Sequence, residues 1–479
     1  MRDRTDPDDR TIVAHAGISD QSDRVRTIRI VVVRAIWKRE DTMTDQMHLH
    51  STDDEGGRLP LAPDAAVGDV VDAVREWIDS AVPAAWVEAG RAGGPAAVRT
   101  VRTRADYEAW YPTFGRSGLV AATWPRAYGG LDLPPVVARR ADEELRPFNL
   151  GRLNPLGLNL AAPALFAHGT EEQRRRFLPA IVRNEEVWCQ LFSEPGAGSD
   201  LASLATRAER DGDQWIITGQ KVWTTWAHLS DWAVLLARTD DDVPKRQGLT
   251  YFLIDLHQAG VEVRPLRHMG GEVDFNEVFL DGALVSDACR VGDIGTGWKV
   301  ANATLSGERQ MVSGAGSGGV DRIGGSGVGY LIALAQRRSA RGGPGGWDDP
   351  VSRDLIMRLY CEERVREWTN LRVRGQLRAG RSPGPESSVG KVHQGALNQR
   401  VQLAATSVLG MDAVAWEGEL GDYAASLPYE VRGMLRSRAN TIEGGTTEIN
   451  KNILGERVLG LPREPDEFAS LPWKKVPRS

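Results

Sequence analysis

Cysteine is scarce. The 479-residue chain holds three, Cys189, Cys289 and Cys361, at spacings that suit neither a metal site nor a redox pair. That excludes a disulfide-stapled scaffold and fits a reducing, cytoplasmic compartment. No uninterrupted apolar run is long enough to cross a bilayer, so no membrane span is expected. The net charge is −6 and no basic patch is gathered, so nucleic acid is not expected as a partner. The short apolar run 28–37 is broken by Arg29 and Arg34 and is followed by no small-residue cleavage site, so it does not read as a signal peptide. Strand–helix–strand alternation is missing too, which excludes a doubly wound sheet.

What is present supports two or three domains around a large core, with 41% hydrophobic and 26% charged residues. Residues 1–60 are polar and rich in Asp and Arg. They read as a disordered extension, with Met43 and Met47 as alternative starts. Residues 61–187 read as helical. Val67, Val70, Val71, Val74, Trp77 and Ile78 predict a helix over 64–80, and a second over 106–111 is expected to stop at Pro112. Further helices are expected over 134–144 and 170–182, the last capped by Thr170 with Glu171 and Glu172 at its positive end. Residues 188–290 read as strands, over 214–218, 232–238, 249–255, 261–265 and 275–279, with turns at Asp211–Asp213 and Asp281-Gly282. Helical spacing returns over 291–465, in runs 299–312, 330–337, 351–377, 389–409 and 447–459, and 466–479 form a tail. The expected class is α+β: an N-terminal helical domain, a middle β-barrel or sandwich and a C-terminal helical bundle.

The chain turns on WCQLFSEPGAGSD, Trp188 to Asp200. Gly196 and Gly198 are expected to allow close approach and positive φ. Ser193 and Ser199 offer hydroxyls that donate and accept. Pro195 presets a turn, and Asp200 can cap the next element. The stretch Gly314 to Gly319 formally matches GxGxxG. It comes after a charged helical segment rather than an apolar strand, so it reads as a flexible or kinked connection.

Two later segments keep company with the first: GQKVWTT, Gly219 to Thr225, and NTIEGGTTEI, Asn440 to Ile449. In this order the three segments resemble the acyl-CoA dehydrogenase family, over about Asp106 to Pro462. The resemblance implies FAD as cofactor and an acyl-CoA as substrate. A carboxylate would take the α-proton while the β-hydrogen leaves as hydride to flavin N5. Trp223 then matches the apolar wall of the isoalloxazine, Thr225 reaches its N5 and O4 edge, and Ser193 and Gly198 lie at the pyrimidine edge. Ser199 matches a contact to the pantetheine arm. Thr446 matches a flavin-contacting threonine, and Arg337 and Ser339 match an arginine and a hydroxyl that a neighbouring subunit supplies to the pyrophosphate.

Two departures matter. The commonest family base would fall at Gly444, with Glu443 one residue early. A minority of the family carries its base on an earlier helix, immediately before an arginine, and Glu308-Arg309 stands at that place. Glu308 is therefore assigned as base with Arg309 orienting it, and Glu443 as runner-up. Gly444 frees space near the α-carbon and favours branched or bulky acyl groups. The second departure is Ser407 and Met411, which replace a family Gln and a second glycine. That pattern resembles the actinobacterial branch built as heterotetramers, some of which oxidise steroid side-chain thioesters, so a homo- or hetero-tetramer is expected, with an electron-transfer flavoprotein as acceptor. Two other readings stand beside this one: an acyl-CoA oxidase or flavin monooxygenase on the same fold, and a non-catalytic subunit of a heteromer.

Overall fold

A computed structural model describes residues 56–312, 327–378, 385, 388–415 and 427–477. The stretch 1–55, most of the expected N-terminal extension with Met43 and Met47, lies outside the described residues, as does Gly314 to Gly319.

Among the described residues, six α-helices precede the sheet: α1 (Val67–Ala81), α2 (Ala84–Val101), α3 (Arg104–Arg116), α4 (Pro135–Leu145), α5 (Ala162–His168) and α6 (Glu171–Arg183). Helix α1 buries Val70, Val71, Val74, Trp77 and Ile78 of the stripe its spacing predicts, while Val67, at its first residue, stays exposed because no described element covers the helix start. Against it lies an aromatic core in which Trp86 and Trp110 meet edge-on at 5.4 Å and Tyr111 and Phe114 at 5.8 Å. Helix α3 runs through Pro112 rather than stopping at it. A Thr103–Asp106 capping box starts it, and full burial of Tyr111 and Phe114 holds the following turn, which outweighs the lost N–H. Helix α2 has no clean periodicity because Gly94, at φ 64°, and Pro95 kink it. Thr170 and Gln173 form the capping box of α6, as the Thr170 cap predicts.

Eight strands come next: β1 (Trp188–Leu191), β2 (Arg207–Asp211), β3 (Gln214–Thr225), β4 (Trp232–Arg238), β5 (Leu249–Asp255), β6 (Val261–Leu266), β7 (Phe275–Ser286) and β8 (Arg290–Val291). They form one mixed sheet in the order β6-β7-β3-β2-β4-β5-β8, with β1 parallel to β4. Trp215, Ile217, Val278 and Leu280 of β3 and β7 share a buried cluster with Leu191, Leu235 and Phe252 of β1, β4 and β5, so the sheet closes over its own core. Strands β3 and β7 are longer than their apolar patterns suggest. Asp281-Gly282 is not a turn but a bulge inside β7, where the register against β3 slips between Ile217 and Thr218 and Gly282 takes φ 70°. Burial pushes the thiols of Cys189 and Cys289 up to about 12, which removes them as nucleophiles.

After the sheet come α7 (Gly297–Val312), α8 (Val328–Ala340), α9 (Pro350–Arg378), α10 (Ser388–Leu409), α11 (Tyr429–Ser437) and α12 (Thr447–Arg457). Helix α7 crosses a π-helical turn, Gly157–Ala161, so closely that a Cβ on Gly307 would sit 2.0 Å from the Asn159 carbonyl. Thr304 of α7 donates to the Leu160 carbonyl at 3.1 Å and meets Tyr251 of β5 at 2.8 Å. The helix that carries Glu308 is thereby pinned between the N-terminal helices and the sheet.

Candidate functional site

The site begins where β1 ends. Glu194 and Ala197 exchange backbone hydrogen bonds at 3.1 and 3.0 Å, closing the Pro195-Gly196 turn. Neither Gly196 nor Gly198 takes positive φ, and neither is approached by other atoms, contrary to expectation: the backbone pair closes the turn in ordinary conformations. Both glycines leave open space above the loop. Ser193 is half-buried, and its carbonyl accepts from the Val222 amide at 2.9 Å, which lays the loop against the GQKVWTT strand.

A buried ion pair holds that contact. Lys221 is fully buried, and its Nζ donates to Glu194 Oε1 at 2.8 Å and to the carbonyls of Phe192 and Leu236 at 3.1 and 2.9 Å. Glu194 also accepts from the amides of Ala205 and Thr206 at 2.6 and 2.9 Å. Burial pushes the Glu194 carboxyl upward, but the Lys221 ammonium and these donors outweigh it and hold it below the ordinary range. Gly219 is needed beside this pair, because a Cβ there would lie 2.3 Å from the Thr206 hydroxyl. Sequence reasoning passed over Lys221. Its signal was a lysine and a glutamate inside two motifs already singled out.

Just beyond Lys221 the register of β3 against β7 slips, and Trp223 sits on the resulting bulge at φ 60°. A non-glycine residue in this region costs about 1–3 kcal/mol and marks a place where surroundings over-determine the backbone. The strained conformation turns the indole outward, 56% exposed, beside half-buried Thr225 and the buried, unpartnered Thr224 hydroxyl. Phe275 of β7 braces the indole edge-on at 5.7 Å. Phe275 is in turn faced by His268 at 5.9 Å and by the Arg436 guanidinium of α11 at 5.7 Å.

Arg436 brings the third motif to the same place. It donates to both Glu443 oxygens at 2.8 and 3.2 Å, and Asn440 donates to Glu443 at 3.0 Å. Gly444 and Gly445 come next at φ 63° and 85°, and Thr446 caps α12 through the Ile449 amide at 3.2 Å. Neither Phe275 nor Arg436 carried a sequence signal, since each acts through a distant partner. Arg436→Ala is expected to destabilise the late loop by about 2 kcal/mol, the scale of a lost charge-assisted hydrogen bond. A urea midpoint unchanged in that variant would contradict the clamp.

His268, Glu272 and Asp274 gather nearby. His268 Nδ1 accepts from the Gly270 amide at 3.0 Å, and its buried Nε2 faces Glu272 at 3.4 Å and Asp274 at 3.8 Å without a hydrogen bond.

The remaining predicted residues lie elsewhere. Ser199 is exposed at the start of the turn that Asp200 anchors to Lys245 at 2.8 Å. Arg337 is exposed on α8 with its guanidinium 5.5 Å from the Tyr330 ring, and Ser339 accepts from the Asp348 amide at 2.9 Å. Arg338 donates to Asp412 at 2.8 Å, which sets the end of α8 beside the Ser407–Met411 segment. None of the described contacts joins Arg337 or Ser339 to the Trp223 cluster. Glu308 and Arg309 lie on α7, and their side chains are outside the described residues.

The chain is similar to known proteins over most of its length. The acyl-CoA dehydrogenase N-terminal, middle and C-terminal domain models match residues 69–185, 189–283 and 295–459. The chain is 38% identical over 401 residues to acyl-CoA dehydrogenase IpdE1 of Mycobacterium tuberculosis, covering 82% of this chain and 97% of that protein. It is 39% identical over 349 residues to acyl-CoA dehydrogenase FadE34 of the same species, covering 72% of this chain and 45% of that protein. Among solved structures, the Tcur3481-Tcur3483 steroid ACAD aligns with a TM-score of 0.61 at 26% identity, covering 83% and 98% of the two chains. The ChsE4-ChsE5 complex of Mycobacterium tuberculosis gives 0.60 at 24% identity over 87% and 100%, a likeness of fold.

Proposed function

The chain belongs to the acyl-CoA dehydrogenase family, and on that premise we propose that it oxidises a branched or bulky acyl-CoA between Cα and Cβ, with Glu308 as the base. The observation that carries the reading is Trp223. An exposed indole held in a strained left-handed conformation, braced by Phe275, next to half-buried Thr225 and one residue from Val222, which Ser193 holds through its carbonyl, is a flat apolar wall with polar side chains nearby. An isoalloxazine fits that set of groups. FAD, when bound, supplies the hydride acceptor.

The chain's own residues do the rest. Trp223 excludes water from one ring face. Ser193 and Thr225 hydrogen-bond at its edge, and the open space over Gly198 leaves room for it. Thr446 serves the remainder of the cofactor, and Arg337 and Ser339 serve the pyrophosphate of a flavin held by a neighbouring copy. Glu308 takes the α-proton, with Arg309 orienting its carboxylate. The assignment over Glu443 is supported by the bonds Glu443 already makes: both of its oxygens are engaged by Arg436, and one also by Asn440, which leaves it a structural anchor. Gly444 leaves the α-carbon side free of a side chain. Ser199 meets the pantetheine arm.

An electron-transfer flavoprotein is the proposed acceptor. The proposed assembly is a tetramer with further copies or a second subunit. The exposed apolar residues Met411 and Val414 beside the end of α8, and Val365, Trp368 and Leu371 on α9, support a covered face there. The aligned solved structures include two-component assemblies by their own names. Incubating the flavin-loaded protein with acyl-CoA and an artificial electron acceptor is expected to yield a thioester lighter by two hydrogens. Product formed only with oxygen, together with hydrogen peroxide, would move the chemistry to an oxidase.

A further inference from the structure

The last described stretch, 466–477, lies beyond the residues matched by the family's C-terminal model, which end at 459. It does not trail away. Pro472 bridges to Pro244, the Trp473 amide donates to the Val243 carbonyl at 2.9 Å, and the Lys474 amide donates to Asp241 at 3.1 Å. The Lys474 ammonium pairs with Asp242. Trp473 itself is 7% exposed.

Its indole is wedged between two segments of the sheet domain. Nε1–H donates to the Ser203 carbonyl at 3.3 Å, and the Arg238 guanidinium lies over the ring at 4.1 Å. Arg238 is also buried. It donates to the carbonyls of Ala202 at 2.7 Å, Leu204 at 3.1 Å and Lys245 at 3.1 Å. Lys245 reaches back to Asp200, which also accepts from the Ser203 hydroxyl at 2.5 Å. The turn 199–204 and the β4–β5 connection 239–248 are thus closed on one guanidinium, and the indole shields that guanidinium from water. A dry guanidinium binds carbonyls far more firmly than a hydrated one.

We propose that residues 466–477 form a strap that fixes the turn carrying Ser199 and so sets the affinity for the CoA end of the substrate. Trp473 is its positioning residue and acts through Arg238. The inference rests on the proposed contact of Ser199 with the pantetheine arm. It adds a determinant outside the three family domains.

The test uses full-length, flavin-loaded protein, with coenzyme A itself as the probe in calorimetry and hydrogen exchange followed over 199–204 and 240–247. Trp473→Ala is expected to weaken CoA binding about tenfold, the scale of one desolvated cation–π contact. Exchange in both segments should quicken while flavin content and spectrum stay as in the wild type. Trp473→Phe keeps the ring and loses the Ser203 bond, so it should recover most of the affinity, within about threefold of wild type. If the alanine variant does not fold, Trp473→Leu, which fills the space but puts no ring over the Arg238 guanidinium, carries the test, and wild-type CoA affinity there counts against the strap. Wild-type CoA affinity in Trp473→Ala overturns the strap, whatever the exchange shows. A wild-type protein that binds no CoA overturns the functional reading instead, and the ligand role of the strap falls with it.

Discussion

Glu308→Gln is expected to lower turnover by roughly 10²–10⁴-fold or more, because the variant keeps the shape of the side chain and loses its basicity. Flavin content should be unchanged, since the wall and rim residues Trp223, Ser193 and Thr225 are on β3 and the loop before it, not on α7. The pairing of these results is the point: a dead enzyme that still carries flavin has lost a proton acceptor, not a binding site. Glu443→Gln should behave differently. It breaks the clamp to Arg436 and Asn440, so it should weaken the late loop while leaving measurable turnover. Stopped-flow reduction of both variants decides between them. Full activity in Glu308→Gln with loss in Glu443→Gln would move the base to the late loop.

Lys221→Met should be the most destabilising single change near the site. It strands a buried carboxylate among backbone donors, and breaking such a pair costs about 3–5 kcal/mol. The pair is 0% and 8% exposed, so solvent offers little relief. The variant is expected to lose flavin as well, because Ser193 and Val222 are held together at this place. Glu194→Gln with Lys221→Met should recover part of the loss, since a buried neutral pair leaves no charge unpaired. The pair also has a pH signature. The folded Glu194 carboxyl is held below its ordinary value of 4.5, so its stabilisation is fully present above that value and is lost as pH falls through the lower, folded one. The double variant should lose that share of the acid dependence. Urea midpoints of wild type and double variant falling in parallel below pH 4.5 would contradict the assignment.

Much of the fold, and the three segments that gather at the candidate site, are legible from residues alone, and the reasons are specific. Strands β4 and β5 are almost wholly buried, so they read as continuous apolar runs with their ends correctly placed. Strand β3 reads only to Thr218, because Gly219, Gln220 and Lys221 break the pattern. Lys221 belongs in a core only because Glu194 waits there, 27 residues away. Asp281-Gly282 carries the chemistry of a turn, and nothing local distinguishes a turn from a bulge when the partner strand is unknown. Trp223 is found through its motif, but its left-handed backbone is not, since tryptophan is a poor advertisement for positive φ. The bracing by Phe275 and Arg436, and the return of Trp473 to Arg238, join segments that only the fold brings together.

The most direct test of flavin-dependent thioester oxidation at the Trp223 wall is an anaerobic titration of the flavin-loaded protein with bulky acyl-CoA, monitored in the visible spectrum. Bleaching of the flavin band in proportion to added thioester is the expected result, with Trp223→Ala losing either the flavin or the bleaching. A flavin-loaded protein that binds acyl-CoA thioesters and keeps its oxidised spectrum would contradict it.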